Sequence, residues 1–154
     1  YISQKKGFDD ALILNEKNNL CCCTSSNIFY VISNKLFTPS LKEGALDGTV
    51  RRYLLEKKKV AVKSISLNNL KDISEIFLTN SIGLRSVSKV NNVSFKSGPI
   101  TEKTIKFLNK IVATSAIPIG IPGCPELALC TASTDKNLIE FAKSLLSIFK
   151  NYPV

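Results

Sequence analysis

Residues 20–39 have the sequence LCCCTSSNIFYVISNKLFTP, in which two apolar stretches flank a short polar segment. The apolar and β-branched residues of 20–32 predict a long β-strand, and residues 33–35 (SNK) have the composition of a turn. Residues 36–38 predict the next strand, which Pro39 ends because proline cannot donate a hydrogen bond to a neighbouring strand. This stretch therefore predicts two consecutive strands of a β-sheet.

Further strands and helices are predicted on both sides of this stretch. Residues 11–15 (ALILN) form a short apolar run that predicts a hairpin partner for residues 20–32. Downstream, strands are predicted at residues 60–67, 75–79, 84–90 and 93–95, and helices at residues 49–58 and 101–110, the second capped by Thr101. The predicted fold class is α+β (α/β), a curved and mostly antiparallel sheet with flanking helices.

The character of the chain changes near residue 111. Residues 113–130 hold three prolines and two glycines, a composition that does not favour regular structure. Residues 134–150 then place apolar side chains at helical spacing and predict a C-terminal helix. We therefore divide the chain into residues 1–110, one domain, and residues 111–154, an unassigned proline-rich loop followed by a helix.

Composition and charge narrow the class of protein. The 154 residues are 44% hydrophobic and 21% charged, which is typical of a globular domain. The net charge is +9, but the basic residues are scattered and their one run is Lys57-Lys58-Lys59, which favours a solvated surface over nucleic-acid binding. No apolar run reaches the ~18 residues of a membrane span, and residues 1–10 lack the apolar core of a signal peptide.

The cysteines predict neither a disulfide framework nor a metal site. Three of the five are adjacent, and alternation along a strand would put Cys21 and Cys23 on one face and Cys22 on the other. Cys124 and Cys130 have no third partner, and the absence of histidine excludes a Cys–His catalytic pair. Buried, reduced thiols and a cytoplasmic location are expected. Because the chain begins at Tyr1 and contains no Met, residues upstream of it are also expected.

Two polar stretches are candidates for binding an anion. Gly48-Thr49-Val50-Arg51 follows a loop and opens a helix, so its backbone N–H groups and the positive helix end would face an anion, with Arg51 as a further donor. Gly44 and Gly48 are expected to give this loop backbone freedom. Residues 79–81 (TNS) follow an apolar strand, where ligand contacts are common. The alternatives are an ordinary helix start and a polar turn.

The order of these segments resembles the class IV aminotransferase family of pyridoxal-phosphate enzymes. This family includes branched-chain and D-amino-acid aminotransferases and aminodeoxychorismate lyase. The resemblance covers residues 8–109, implies the larger, C-terminal domain of that fold, and is strongest to the lyase. It rests on the following segments in this order: GFDDALIL (7–14), SNIF (26–29), TPSL (38–41), LDGTVR (46–51) and EIFLTNS (75–81).

The resemblance implies pyridoxal 5'-phosphate (PLP) as the cofactor, an amino acid or aminodeoxychorismate-like substrate, a homodimer and no membrane association. Backbone N–H groups of Thr49 and Val50 would hold the cofactor phosphate, and Gly48 would allow its close approach. Arg51 would brace the loop. Ser81 would contact the phosphate from the other side, with Asn80 beside it.

Two departures from the family bear on activity. The family has a glutamate five positions before Asn27, where it keeps the pyridine nitrogen protonated, and here that position is Cys22. The Schiff-base lysine of the family lies upstream of residue 7, and Lys5 and Lys6 are too close to match it. The sequence therefore predicts a fragment with no catalytic residue that is inactive alone, with Cys22 facing the cofactor cleft. The alternative is a non-catalytic basic α/β binding module.

Overall fold

A computed structural model describes residues 8–57, 60–81, 83–114, 117–118 and 128–129. The chain forms two compact units, Tyr1–Lys103 and Thr104–Val154. The strands are β1 (Leu12–Leu14), β2 (Leu20–Cys23), β3 (Asn27–Ile32), β4 (Lys35–Thr38), β5 (Val60–Val62), β6 (Glu75–Asn80), β7 (Gly83–Ser86), β8 (Lys89–Val90), β9 (Val93–Ser94), β10 (Ile117–Pro118) and β11 (Ala128–Leu129). The helices are α1 (Thr49–Lys57) and α2 (Pro99–Thr114), with 3₁₀ helices at Leu41–Glu43 and Leu67–Asp72.

The first unit is built on a five-stranded sheet with the strand order β5-β4-β3-β6-β7. Strands β4, β3, β6 and β7 pair antiparallel, and β5 pairs parallel to β4. The parallel pair follows from the connection, since α1 lies between β4 and β5 and a parallel pair needs such a crossover. Two short antiparallel pairs, β1-β2 and β8-β9, complete the unit. The predicted α+β class and mostly antiparallel pairing are confirmed.

Strands β3 and β6 define the two faces of this sheet. Phe29 lies opposite Phe77 and the two rings stack with centroids 5.0 Å apart. Helix α1 packs against β6. It buries Val50, Tyr53 and Leu54, as the predicted packing of this helix on the sheet requires. We call the face of the sheet that carries Phe29 and Phe77, and on which α1 packs, the helix face. Its residues on the two strands are Asn27, Phe29, Val31, Glu75, Phe77 and Thr79.

The opposite face carries the largest apolar cluster of the described residues. Ile28, Tyr30, Ile76 and Leu78 alternate with the helix-face residues along β3 and β6, and all four are buried. The cluster continues through these buried residues from the surrounding segments: Leu20, Cys23, Ile65, Leu70, Ile73 and Phe95. Burying each large apolar side chain stabilises the fold by about 1.5–3 kcal/mol. The sheet is therefore covered on both faces.

Several predicted elements begin or end at other residues in the structure. The strand predicted at 20–32 is broken into β2 and β3 by a bend at residues 24–26. Asp10 fixes this bend, because its carboxylate accepts hydrogen bonds from the backbone N–H and the hydroxyl of Thr24. In the second unit β10 and β11 pair antiparallel within the segment predicted to be irregular. The division at residue 110 stays a prediction, and the helix at 134–150 lies outside the described residues.

The predicted helix cap at Thr101 is wrong. Helix α2 begins at Pro99, and the carbonyl of Gly98 accepts the hydrogen bond from the N–H of Glu102. The backbone N–H of Thr101 donates to Glu75 Oε2 (2.8 Å), and that of Ile100 to Oε1 (3.4 Å). A glutamate from β6, distant in sequence, thus satisfies N–H groups that a helix start leaves without partners. A Cβ at Gly98 would collide with the Glu75 carboxylate, so this approach requires glycine.

We expect Glu75→Gln to lower the free energy of unfolding by about 1–2 kcal/mol, because a neutral amide replaces the carboxylate that accepts two backbone N–H groups. Glu102→Gln is the matched control. Its side chain is exposed in the first turn of the same helix, and its effect should be about 0.5 kcal/mol or less. Urea unfolding of both variants measures the difference, and equal losses would contradict the capping role of Glu75.

Candidate functional site

The candidate segments meet at one end of the β3–β6 pair. Asn27 at the start of β3 lies opposite Thr79 near the end of β6. Gly48, which precedes α1, lies against the Asn27 side chain, and a Cβ there would collide with Asn27 Oδ1. Asn80, the next residue of β6, donates from Nδ2 to the Oγ of Ser26 (3.5 Å), which precedes Asn27. Asn27 therefore stands between the two polar segments that the sequence singles out.

The first turn of α1 is open to an anion. Gly48 is its N-cap residue, because the Gly48 carbonyl accepts from the N–H of Arg52 (3.0 Å). Among the described residues no side chain accepts from the backbone N–H of Thr49 or Val50. The carboxylate of Asp47, the residue before Gly48, forms ion pairs with Arg51 (3.3 Å) and Arg52 (3.7 Å). Helix α1 thus differs from α2, whose first N–H groups already bind a carboxylate.

Arg51 holds the loop in front of this helix. Its side chain is only 3% exposed, with Nη2 donating to the carbonyl of Pro39 (2.9 Å) and Nη1 to Asp47. Burial lowers the pKa of the Arg51 guanidinium, and the Asp47 carboxylate opposes that shift. Nε has no hydrogen-bond partner among the described residues. These contacts join the end of β4 to the start of α1.

The backbone freedom expected at the two loop glycines occurs at one of them. Gly44 adopts a left-handed conformation (φ 98°) and ends the first 3₁₀ helix, as the expectation requires. Gly48 is not in the left-handed region, so the expectation for Gly48 is wrong. Gly48 is small for another reason, which is that the Asn27 side chain occupies the space of its Cβ. Local sequence could not give this reason, because Asn27 is 21 residues away.

The second segment ends at the surface. Thr79 is buried, and its hydroxyl has no hydrogen-bond partner among the described residues. Asn80 is half-buried, and its Oδ1 also accepts from the N–H of Gly83 (3.2 Å). Ser81 is exposed in the turn after β6. The residue that sequence reasoning missed is Asn27, whose signal was its place in the SNIF motif.

The three adjacent cysteines do not alternate as predicted. Cys22 pairs with Ile13 and Leu20 with Leu14, so Cys21 is the extra residue of a β-bulge. Two residues of a bulged strand oppose one residue of its partner, which interrupts the alternation of side chains. Cys21 and Cys22 both contact the loop before α1, whereas Cys23 joins the apolar cluster. The prediction that Cys21 and Cys23 share a face is therefore wrong.

Burial keeps all three thiols neutral at neutral pH. Cys21 Sγ donates to the carbonyl of Glu43 (2.7 Å), and Cys22 has a hydrogen bond with the backbone of Leu46. Burial raises the pKa of each thiol, and it raises that of Cys23 to about 12. Cys22 therefore cannot supply the negative charge of the glutamate that occupies its position in the resembled family.

Glu43 ties the same loop to two other segments. Its carboxylate accepts from Ser64 Oγ (2.6 Å), Asn15 Nδ2 (2.5 Å) and Asn19 Nδ2 (3.1 Å). The hydrogen bond from Ser64 is the first cause that lowers the pKa of Glu43. The loop between β4 and α1 is thus held at Glu43 by the β1–β2 turn and at Arg51 by the end of β4.

We expect the Glu43 contacts to make stability depend on pH. The folded pKa of Glu43 lies below its ordinary value of 4.5, to which the carboxyl returns on unfolding. The contribution is therefore complete above 4.5 and is lost as pH falls through the folded pKa. Between about pH 6 and pH 3 the free energy of unfolding, measured with urea, should decrease less for Glu43→Gln than for the wild type. An equal decrease in both proteins would contradict the role assigned to Glu43.

The described residues offer neither a metal site nor a membrane span. No group of three histidine, cysteine or acidic side chains in that part of the chain could hold a metal ion. None of its helices is long and apolar enough to cross a bilayer.

Comparison with known proteins places the chain in a family. Residues 3–90 match the family described as amino-transferase class IV. The chain belongs to the class IV aminotransferase family. It is 33% identical over 112 residues to an aminodeoxychorismate lyase of Vibrio harveyi, covering 66% of this chain and 41% of that protein. A probable branched-chain-amino-acid aminotransferase of Thermotoga maritima is 34% identical over 101 residues, covering 60% and 37%.

Solved structures agree with this membership. A 4-amino-4-deoxychorismate lyase from Legionella pneumophila superposes with a TM-score of 0.63 at 32% identity, over 71% of this chain and 43% of that one. The branched-chain aminotransferase of Escherichia coli has a TM-score of 0.66 at 19% identity, over 71% and 40%, and shows the fold alone. The chain spans about two-fifths of the length of its curated relatives. The resemblance stated from the sequence is confirmed.

Proposed function

We propose that this class IV chain binds the phosphate of PLP between the start of α1 and the end of β6, in an enzyme of the aminodeoxychorismate lyase type. Enzymes of the family use PLP, and an aminotransferase from Brucella abortus was solved with that cofactor bound. The observation that carries the proposal is the open first turn of α1. Within the described part of the chain no carboxylate accepts from its first N–H groups, whereas Glu75 already occupies those of α2.

The residues present fit the phosphate end of the cofactor. Thr49 and Val50 would donate their backbone N–H groups, and Gly48 lets the loop pack on β3 so that these groups stay at the end of the sheet. Arg51 would hold the loop in place and not contact the phosphate itself, since it donates to Pro39 and Asp47. Ser81, with Asn80 beside it, would contact the phosphate from β6.

The residues do not fit the ring end of the cofactor in the same way. Bound PLP supplies an electron sink for carbanion chemistry, and this depends on a protonated ring nitrogen. Cys22 is a buried thiol whose pKa is raised, so it offers no negative charge to hold that proton. We therefore propose that the chain binds the phosphate but does not turn over an amino-acid or aminodeoxychorismate-like substrate by itself. Assembly as a homodimer and action as a fragment of a longer enzyme belong to the same proposal.

The lyase branch is favoured over the aminotransferase branches by two observations. The Vibrio harveyi lyase matches over 112 residues at 33% identity, against 101 residues at 34% for the Thermotoga maritima aminotransferase. Among solved structures, the Legionella pneumophila lyase has 32% identity over 71% of this chain, against 26% over 70% for a branched-chain aminotransferase of Thermoproteus uzoniensis. The alternative of a basic binding module gains no support from the family match.

Thr49→Pro tests the phosphate site with little expected cost to the fold. Proline is tolerated at the first position of a helix, as Pro99 shows in α2, but it lacks the N–H that would bind phosphate. We expect the affinity for PLP to fall about tenfold, because a hydrogen bond to a charged group is worth about 1.5–3 kcal/mol. Absorbance titration measures this affinity in the full chain, and urea unfolding controls for stability.

Pro99→Ala is the matched control for the fold, since it changes the corresponding position of α2 and should leave PLP affinity unchanged. Unchanged affinity in Thr49→Pro would contradict the proposed site. Failure of the wild type to bind PLP, together with salt-sensitive binding of DNA or RNA, would favour the binding module instead.

Cys22→Glu tests the ring end. A carboxylate at this buried position should lower stability without PLP by several kcal/mol, because it would be desolvated and repelled by the Asp10 carboxylate. If Cys22 faces the cofactor ring, PLP should raise the melting temperature of Cys22→Glu more than that of Cys22→Gln. The reason is that only the carboxylate can stabilise a protonated ring nitrogen. Equal shifts in the two variants would remove Cys22 from the proposed cofactor cleft.

A further inference from the structure

We propose that Asn27 is the positioning residue that fixes the start of α1, so that the N–H groups of Thr49 and Val50 are held open toward an anion. This inference rests on the proposed phosphate site for its functional part. Its structural part, the control of the loop before α1 by a strand side chain, stands on the contacts of Asn27 alone.

Both polar atoms of the Asn27 side chain are directed at this loop. Nδ2 donates to the carbonyl of Leu46 (2.6 Å), and Oδ1 lies in the space that a Cβ at Gly48 would fill. The residue is 6% exposed, so the amide is shielded from water on its remaining sides. This hydrogen bond is costly to break, because the buried amide of Asn27 would lose the partner of its Nδ2.

The backbone at Asn27 is held in place by strand pairing. Asn27 belongs to β3 and pairs across the sheet with Thr79 of β6. The pairing continues for four more residues, through the stacked rings of Phe29 and Phe77. Asn27 therefore transmits the position of the central strands to residues 46–48. A mobile helix start would not hold two N–H groups in fixed directions toward a ligand.

The second helix shows why the residue type matters. Glu75 lies on the same face at the opposite end of the β3–β6 pair, and the glycine before α2 likewise leaves room for it. Its carboxylate, however, turns onto the first N–H groups of that helix and binds them. Asn27 carries no charge and binds the Leu46 carbonyl instead. A strand side chain lies against the glycine before each helix, but only at α2 does it occupy the first N–H groups. Those of α1 stay available to a ligand.

A double-mutant cycle tests the structural part in the full chain. Gly48→Ala introduces a Cβ that collides with Asn27, and since Gly48 is not left-handed, backbone strain adds nothing. We expect it to lower the folding equilibrium constant by about tenfold or more in the wild type, and by less than about threefold in the Asn27→Ala background. Equal losses in the two backgrounds would overturn the inference. If Asn27→Ala does not fold, Asn27→Ser, which also frees the space, replaces it.

Amide hydrogen exchange separates positioning from general weakening. In the folded Asn27 variant, exchange should accelerate at residues 46–50 while the amides of β3 and β6 keep their protection relative to global stability. Asn69→Ala, which removes an exposed contact between Asn69 and Asp72 (3.4 Å), is the matched control and should change neither region. Uniform acceleration throughout the unit would show a merely structural role and overturn the inference.

Inorganic phosphate tests the functional part, followed through the amide resonances of Thr49 and Val50. Asn27→Ala should weaken phosphate binding about tenfold, and Asn27→Asp should weaken it further, because its carboxylate would compete for the same N–H groups. Equal phosphate affinity in wild type and Asn27→Ala would overturn the inference. If the wild type shows no phosphate response while the cycle shows coupling, the proposed function fails and the positioning of the loop by Asn27 is supported.

Discussion

Strands β3 and β6 pair antiparallel from Asn27–Thr79 to Val31–Glu75, and the rest of the first unit depends on this register. The pairing brings the two largest helix-face side chains, Phe29 and Phe77, into a ring stack and puts the apolar cluster on the opposite face. It also places Asn27 and Thr79 at one end of the helix face and Glu75 at the other. A shift of one residue would turn every one of these side chains to the wrong face, so the register is strongly specified.

The side chains of Asn27 and Glu75 explain why the helices α1 and α2 begin differently. Each lies against a glycine that precedes a helix, and each uses the space that a Cβ would fill. A carboxylate is attracted to the positive helix end and satisfies its N–H groups, which stabilises α2 from within. The amide of Asn27 carries no charge and is not attracted to the helix end in this way. It binds the carbonyl of Leu46 instead. A difference of one chemical group thus separates a structural helix start from a candidate binding site.

The candidate site consists of the loop before α1 and the cysteines that contact this loop. The loop before α1 is held by Glu43, by Arg51 and by Asn27, which together connect it to the β1–β2 turn, Ser64, the end of β4 and the start of β3. The thiols of Cys21 and Cys22 face this loop because a bulge breaks their alternation. A neutral thiol therefore lies at Cys22, where the resemblance to the family implies a carboxylate. The proposed phosphate site and the proposed loss of charge at Cys22 thus involve the same loop.

The sequence by itself determined the fold class, the family and the segments that carry the candidate site. Strand periodicity, turn composition and the order of short motifs are local properties, so residues 48–51 and 79–81 could be singled out without coordinates. The tertiary structure alone decided why Gly48 is glycine, which carboxylate caps α2 and where the three cysteines point. Each of these depends on a contact between residues about 20 or more positions apart, or on an extra residue in a strand pairing. Local patterns do not encode such contacts, because the partner of each group is set only when the strands pair, β3 with β6 for the two helix starts and β1 with β2 for the cysteines.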